Sequence, residues 1–60
     1  MDLHTYLNKK VQIVLINSFT YVGVVVNVDD DSLTLIDRNK SRVCLKEESI
    51  NFIKELENEN

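Results

Sequence analysis

Apolar and polar residues alternate with a period of two over much of this chain, and the interruptions mark its turns. From Lys10 to Ile16, Val11, Ile13 and Leu15 fall on one side and Gln12, Val14 and Ile16 on the other. That is the pattern of a β-strand. Asn17-Ser18 offers a tight turn, and a partner strand resumes at Phe19 or Thr20 to form a hairpin. This second strand is the centre of the pattern. Tyr21-Val22-Gly23-Val24-Val25-Val26-Asn27-Val28 is dense in β-branched residues and holds the only glycine of the protein. Such density argues strand rather than helix. Val22, Val24, Val26 and Val28 on one side and Tyr21 and Val25 on the other are apolar, so both faces are expected to be covered. An isolated glycine inside a strand marks a bend, a bulge or a close backbone approach. A long strand covered on both faces and bent at Gly23 predicts a small, strongly curled barrel.

The remaining elements extend that barrel. Asp29-Asp30-Asp31-Ser32 reads as a turn, Ser32 to Asp37 as a third strand, Asp37 to Ser41 as a polar turn and Arg42 to Lys46 as a fourth strand. Upstream, Leu3, Tyr6 and Leu7 recur at i, i+3 and i+4 after Asp2, which predicts a helix over 2–7 with Asp2 as its N-cap. A helix this short holds only by packing on the barrel. Glu47 to Leu56 supports two readings. Ile50, Ile53 and Leu56 recur at helical spacing behind the acidic Glu47-Glu48, which slightly favours helix. Ile50-Asn51-Phe52 alternates as a strand does. Residues 57–60 form an acidic tail.

Sixty residues make one domain, expected to span 1–60, and a domain this small buries only about 60% of the surface its unfolded chain exposes. Its own core rarely supplies more than roughly 3–5 kcal/mol. Disulfides, a structural metal or oligomerisation are the usual remedies. Cys44 is the only cysteine and His4 the only histidine, so neither an internal disulfide nor a Cys/His zinc cluster fits within one chain. Oligomerisation is the remedy left. No secretory signal or membrane-length apolar run is visible, and a reducing, cytoplasmic setting is expected. Three adjacent carboxylates at Asp29 to Asp31 invite a calcium reading. Counted from Asp29, the sixth position of an EF-hand loop, which needs glycine, holds Thr34, and the twelfth, which needs glutamate, holds Lys40. A solvated acidic turn fits better. Cys44 reads as a small strand residue and His4 as an exposed helix residue. One histidine and one cysteine without a supporting constellation give no catalytic site, and no enzyme activity, cofactor or metal is expected.

The order of elements and several of their residues resemble the Sm and Sm-like (LSm) proteins. The first motif of that family runs hydrophobic-x-hydrophobic-x-Leu, a turn, aromatic-x-Gly-x-hydrophobic, then Asp before a loop and an Asn-Leu-x-Leu strand. Here it stands as Val11-Gln12-Ile13-Val14-Leu15, Asn17-Ser18, Tyr21-Val22-Gly23-Val24-Val25, Asp29 and Ser32-Leu33-Thr34-Leu35. The second motif, Ile-Arg-Gly-x-x-Ile/Val, is approximated by Leu45-Lys46-Glu47-Glu48-Ser49-Ile50. The resemblance implies an all-β fold with a short N-terminal helix: a five-stranded, strongly bent antiparallel SH3-like barrel over 10–56, with Ile50 to Glu55 as the fifth strand. It also implies a homo-oligomeric ring of six or seven subunits, in which the fourth strand of one subunit pairs with the fifth of the next. Val43, Leu45, Ile50, Phe52 and Ile53 then line the subunit interface, and Gly23 and Asp29 are structural.

Members of that family bind single-stranded, often uridine-rich RNA near the ring pore. By the resemblance, the stacking position falls on Asp30 or Asp31, the loop Asn position on Ser32 and the Arg position on Lys46. Those replacements remove the stacking ring and the guanidinium. Asp29 to Asp31, Glu47 and Glu48 would recur in every subunit of a chain of net charge −3, and an acidic rim opposes phosphate binding. The expectation is a ring that binds single-stranded RNA weakly, through an altered pore-side pocket. Lys9, Lys10, Arg38, Lys40 and Arg42 offer cations on other surfaces. The alternative is a ring-shaped scaffold for protein partners with little RNA affinity.

Overall fold

The alternating segments fold as five strands in the computed structural model, which describes residues 1–56. They are β1 (Lys10–Leu15), β2 (Thr20–Val28), β3 (Ser32–Asp37), β4 (Arg42–Lys46) and β5 (Ile50–Glu55). All pairings are antiparallel and the sheet order is β4-β3-β2-β1-β5. No ladder joins β4 to β5. The sheet is therefore open where a barrel was expected, and those two strands are its edges. The acidic tail expected at 57–60 lies outside the described residues.

The open sheet is nonetheless strongly curled. Laid flat, five strands put the two edges about 19 Å apart, four spacings of roughly 4.8 Å. Yet β4 ends at Lys46 and β5, on the opposite edge, begins at Ile50. Four extended residues reach at most about 14 Å, and here the link is the 3-10 helix Glu47–Ser49, which is shorter still. The edges must approach each other at that end. The sheet thereby wraps its own inner face. Val11, Ile13, Val25 and Leu35 are fully buried, and Leu3, Leu15, Leu33, Leu45 and Ile50 complete one core.

Gly23 and two bulges bend the sheet. Gly23 sits between Val11 of β1 and Asp37 of β3. A β-carbon there would run into the Ile36 carbonyl oxygen, 2.8 Å from its carbon, and lie 2.9 Å from Leu35 Cδ1. Its φ is not positive, so close backbone approach, not a left-handed angle, requires the glycine. The β2–β3 register shifts between Val25 and Asn27, leaving Val26 as the extra residue. The β1–β5 register shifts likewise, with Val14 opposite Phe52 and Leu15 opposite Ile50, leaving Asn51 extra. Such bulges bend a strand and raise its twist.

The second bulge resolves the ambiguity of the fifth element. Ile50 and Ile53 are three apart, as on a helix, yet both face inward, opposite Leu15 and Ile13. One inserted residue converts a spacing of two into three. The acidic Glu47-Glu48 do open a helical turn, but it ends at Ser49.

Two further expectations change. The N-terminal helix is a single 3-10 turn, Leu3–Tyr6, with the Asp2 carboxylate accepting from the His4 N–H at 3.1 Å. With three residues per turn, Leu3 and Tyr6 share a face. Leu3 is buried and Tyr6 packs on the core, while Leu7 rotates off it and is exposed. The outer face of β2 is also not covered: Val24 and Val26 are exposed and Val22 half-buried.

Candidate functional site

The residues singled out for RNA contact are neighbours. Ser32 opens β3 directly opposite Lys46 at the end of β4, both on the outer face. The Asp29 N–H donates to the Ser32 carbonyl at 2.8 Å and closes the acidic turn. The Glu47 N–H donates to the Asp31 carbonyl at 2.8 Å and ties that turn to the second 3-10 helix. Asp29, Asp30, Asp31, Ser32 and Lys46 thus share one end of the sheet with Glu47 and Glu48. Asp29 to Asp31, Lys46 and Glu48 are exposed, and Ser32 and Glu47 half-buried. Five carboxylates share this end with one lysine, and Glu47 is paired with the Met1 amino group at 3.6 Å. None of the four aromatic rings of the chain belongs to the turn. The group can offer a lysine and a hydroxyl to a ligand, against a negative field. No group of three or more His, Cys, Asp or Glu among the described residues is placed to hold a metal ion.

The residues assigned to a subunit interface divide between the two edges. Val43 and Leu45 belong to β4, and Ile50, Phe52 and Ile53 to β5. Leu45 and Ile50 are spent in the chain's own core, Val43 and Ile53 pack partly against it, and Phe52 is half exposed at 49%.

At the opposite end of the outer face lies a pocket of about 440 Å³. Val22, Val24 and Ile36 form its floor, and Lys10, Arg38 and Lys40 its rim. The turn that presents Arg38 and Lys40 is held by Asp37. Its Oδ1 accepts from the N–H groups of Asn39 and Ser41, both at 2.9 Å, and its carbonyl accepts from the Lys40 N–H at 2.9 Å. Lys40 itself takes a left-handed angle, φ 68°. The cations were visible in the sequence, but the pocket was not. Its signal was the apolar outer side of β2, which reads as a buried face until the sheet is seen to leave it open.

Comparison with known proteins returns no matching family model, no matching curated protein and no matching solved structure. No helix among the described residues is long and apolar enough to cross a membrane.

Proposed function

We propose that this chain is an Sm-like, ring-forming protein that binds single-stranded RNA. The observation that carries the reading is the pair of open edges. β4 and β5, five and six residues long, each leave one row of backbone N–H and C=O groups without a strand partner. An unpaired edge is a template for another chain. Joining β4 of one copy to β5 of the next is a head-to-tail contact, and it closes into a ring when the rotation allows. A small core gains apolar burial from that closure. The resemblance to Sm-like proteins supplies the ring of six or seven copies and the single-stranded RNA. The pore-side contact falls to Asp30, Asp31, Ser32 and Lys46, and the carboxylates around Lys46 make it weak.

Sedimentation at micromolar concentration tests the assembly. A species of six or seven chains supports it, and a stable, well-folded monomer sinks it. Polarisation titration with a short oligo-uridine tests the contact, with a weak component of binding that Lys46→Ala removes as the supporting result.

A second reading is a scaffold for protein partners. Ile16, Phe19 and Phe52 are exposed, and large exposed apolar side chains are available to a protein partner. Absence of oligo-uridine binding even at low salt, in an assembled ring, favours this reading.

A further inference from the structure

We infer that the outer face of β1 to β4 is a separate binding surface for single-stranded nucleic acid, complete within one chain. A base lies over Val22, Val24 and Ile36, and flanking phosphates are held by Lys10 on one side and by Arg38, Lys40 and Arg42 on the other. The surface depends neither on a ring nor on the Ser32–Lys46 end.

The register builds it. Lys10 pairs with Val24, Val24 with Ile36 and Ile36 with Arg42. Residues directly opposite one another point to the same side of a sheet. One row across four strands therefore reads Lys, Val, Ile, Arg. Lys10, Arg38, Lys40 and Arg42 are all exposed. None of them forms an ion pair among the described residues, where Lys9 is paired with Glu55 at 3.4 Å. Four of the seven basic residues of an acidic chain gather here, while five of its ten acids lie at the other end of the sheet. Asp37 is the one carboxylate in the pocket among the described residues, and its Oδ1 is engaged by the turn it holds.

Three features select the ligand. The row spans about 14 Å from Lys10 to Arg42, three strand spacings of roughly 4.8 Å. One small anion cannot touch both ends, but a chain of phosphates can. The floor lies within the pocket, with Val22 and Ile36 half-buried and Val24 41% exposed. A surface that enters a lipid bilayer presents its apolar groups outward instead. Most of the floor also offers no backbone hydrogen-bond partner: Val24 pairs with both Lys10 and Ile36, and Ile36 with both Val24 and Arg42, while Val22 pairs with Gln12 alone. An acidic peptide laid there would strand its own amides. The face of a base needs no partner, and apolar surface plus a positive rim is what sequence-tolerant single-strand binding uses.

The test is a polarisation titration of the full chain with labelled 12-mers of oligo-uridine and oligo-thymidine across a salt series. Sedimentation and circular dichroism check assembly and folding of each variant. With four cations engaged, log affinity falls against log salt with a slope of about −3. Arg38→Ala or Arg42→Ala lowers the steepness by about 0.7 each. Val24→Ser weakens binding about three- to tenfold and leaves the slope unchanged, since it removes floor and no charge. Lys46→Ala leaves this binding intact. Amide NMR shifts on adding the 12-mer concentrate at Val22, Val24, Ile36 and Lys40. The inference is overturned if no oligonucleotide binds at low salt. It also falls if Lys46→Ala removes all binding while the pocket variants do nothing, and in that case the pore-side proposal survives. Equal or tighter binding of oligo-glutamate assigns the surface to an acidic protein instead. Binding to phosphatidylserine vesicles without binding to either 12-mer assigns it to a membrane.

Discussion

The two ends of the outer face share one sheet and differ in almost everything a ligand would feel. At one end the Ser32–Lys46 pair sits among Asp29, Asp30, Asp31, Glu47 and Glu48 on a polar surface. At the other, Lys10, Arg38 and Lys40 ring an apolar floor. The middle row between them, Asn27, Thr34 and Cys44, carries no charge. Net charge describes neither end. A chain of net −3 repels polyanions as a whole, yet fields over a few ångströms are set by local groups and screened beyond about 10 Å at ordinary salt. The turns make the difference. Asp29-Asp30-Asp31 joins β2 to β3 at one end, and Arg38-Asn39-Lys40 joins β3 to β4 at the other. The sheet holds the two apart.

The largest test of this arrangement strikes the strand that runs through both ends. Gly23→Val places a side chain against the Ile36 backbone and Leu35 Cδ1. Ile36 is also a floor residue of the basic pocket. Overpacking a tight site costs about 1–3 kcal/mol, and a core of this size rarely supplies more than roughly 3–5 kcal/mol. Urea melts should show much of the stability gone. A melt matching the parent would mean that β2 and β3 can separate there, and the curled sheet would need another cause.

A smaller effect isolates the turn from its charge. Asp37→Ala removes the acceptor for the Asn39 and Ser41 N–H groups and should cost about 1–2 kcal/mol in a urea melt. Asp37→Asn keeps an oxygen in place and should melt within about 0.5 kcal/mol of the parent. It also removes the one carboxylate of the pocket, so oligonucleotide affinity should rise. Equal losses of stability in both variants would show that the charge, not the oxygen, holds the turn.

At the acidic end, Asp31→Asn should leave stability unchanged, because Asp31 meets Glu47 through its backbone carbonyl. Exposed charge interactions are worth about 0.2–1 kcal/mol. Oligo-uridine contact through Lys46 should therefore tighten only a few-fold, read as the fraction of binding that Lys46→Ala removes. A change in the share that Arg38→Ala removes would show that the two ends are not independent.

What the sequence made legible follows from how local each feature is. Alternation at Val11, Ile13 and Leu15 and at Leu33 and Leu35 places inward residues where they lie, because a strand's period is a local property. Ile50 and Ile53 misled, since a bulge at Asn51 gives a strand the spacing of a helix. The acidic end could be read because Asp29 to Ser32 are consecutive and a motif resemblance linked them to Lys46. The basic pocket could not, because Lys10, Val24, Ile36 and Arg42 become neighbours only through register. Whether Val22 and Val24 face a second layer or open solvent depends on the whole fold. The short N-terminal element was over-read for the same reason: Leu7 continues an apolar pattern that a 3-10 turn does not use.

The smallest expected effect gives the cleanest separation of charge from fold. Lys40 occupies a left-handed angle, φ 68°, which costs a residue with a β-carbon about 1–2 kcal/mol. Glycine takes that angle without strain but brings about 0.5–1 kcal/mol of extra chain entropy in the unfolded state. The second term partly offsets the first, and Lys40→Gly should leave stability unchanged or raise it by up to about 1.5 kcal/mol. Its backbone N–H still donates to the Asp37 carbonyl, so the turn is retained. One rim cation is gone, and the salt slope for a 12-mer should flatten by about 0.7. Lys40→Ala should flatten it equally while keeping the strain. If the two variants share a salt slope and differ in melting, the charge and the turn act separately. If Lys40→Gly melts well below the parent, the lysine side chain supports the turn, and loss of binding in either variant would no longer report on charge alone.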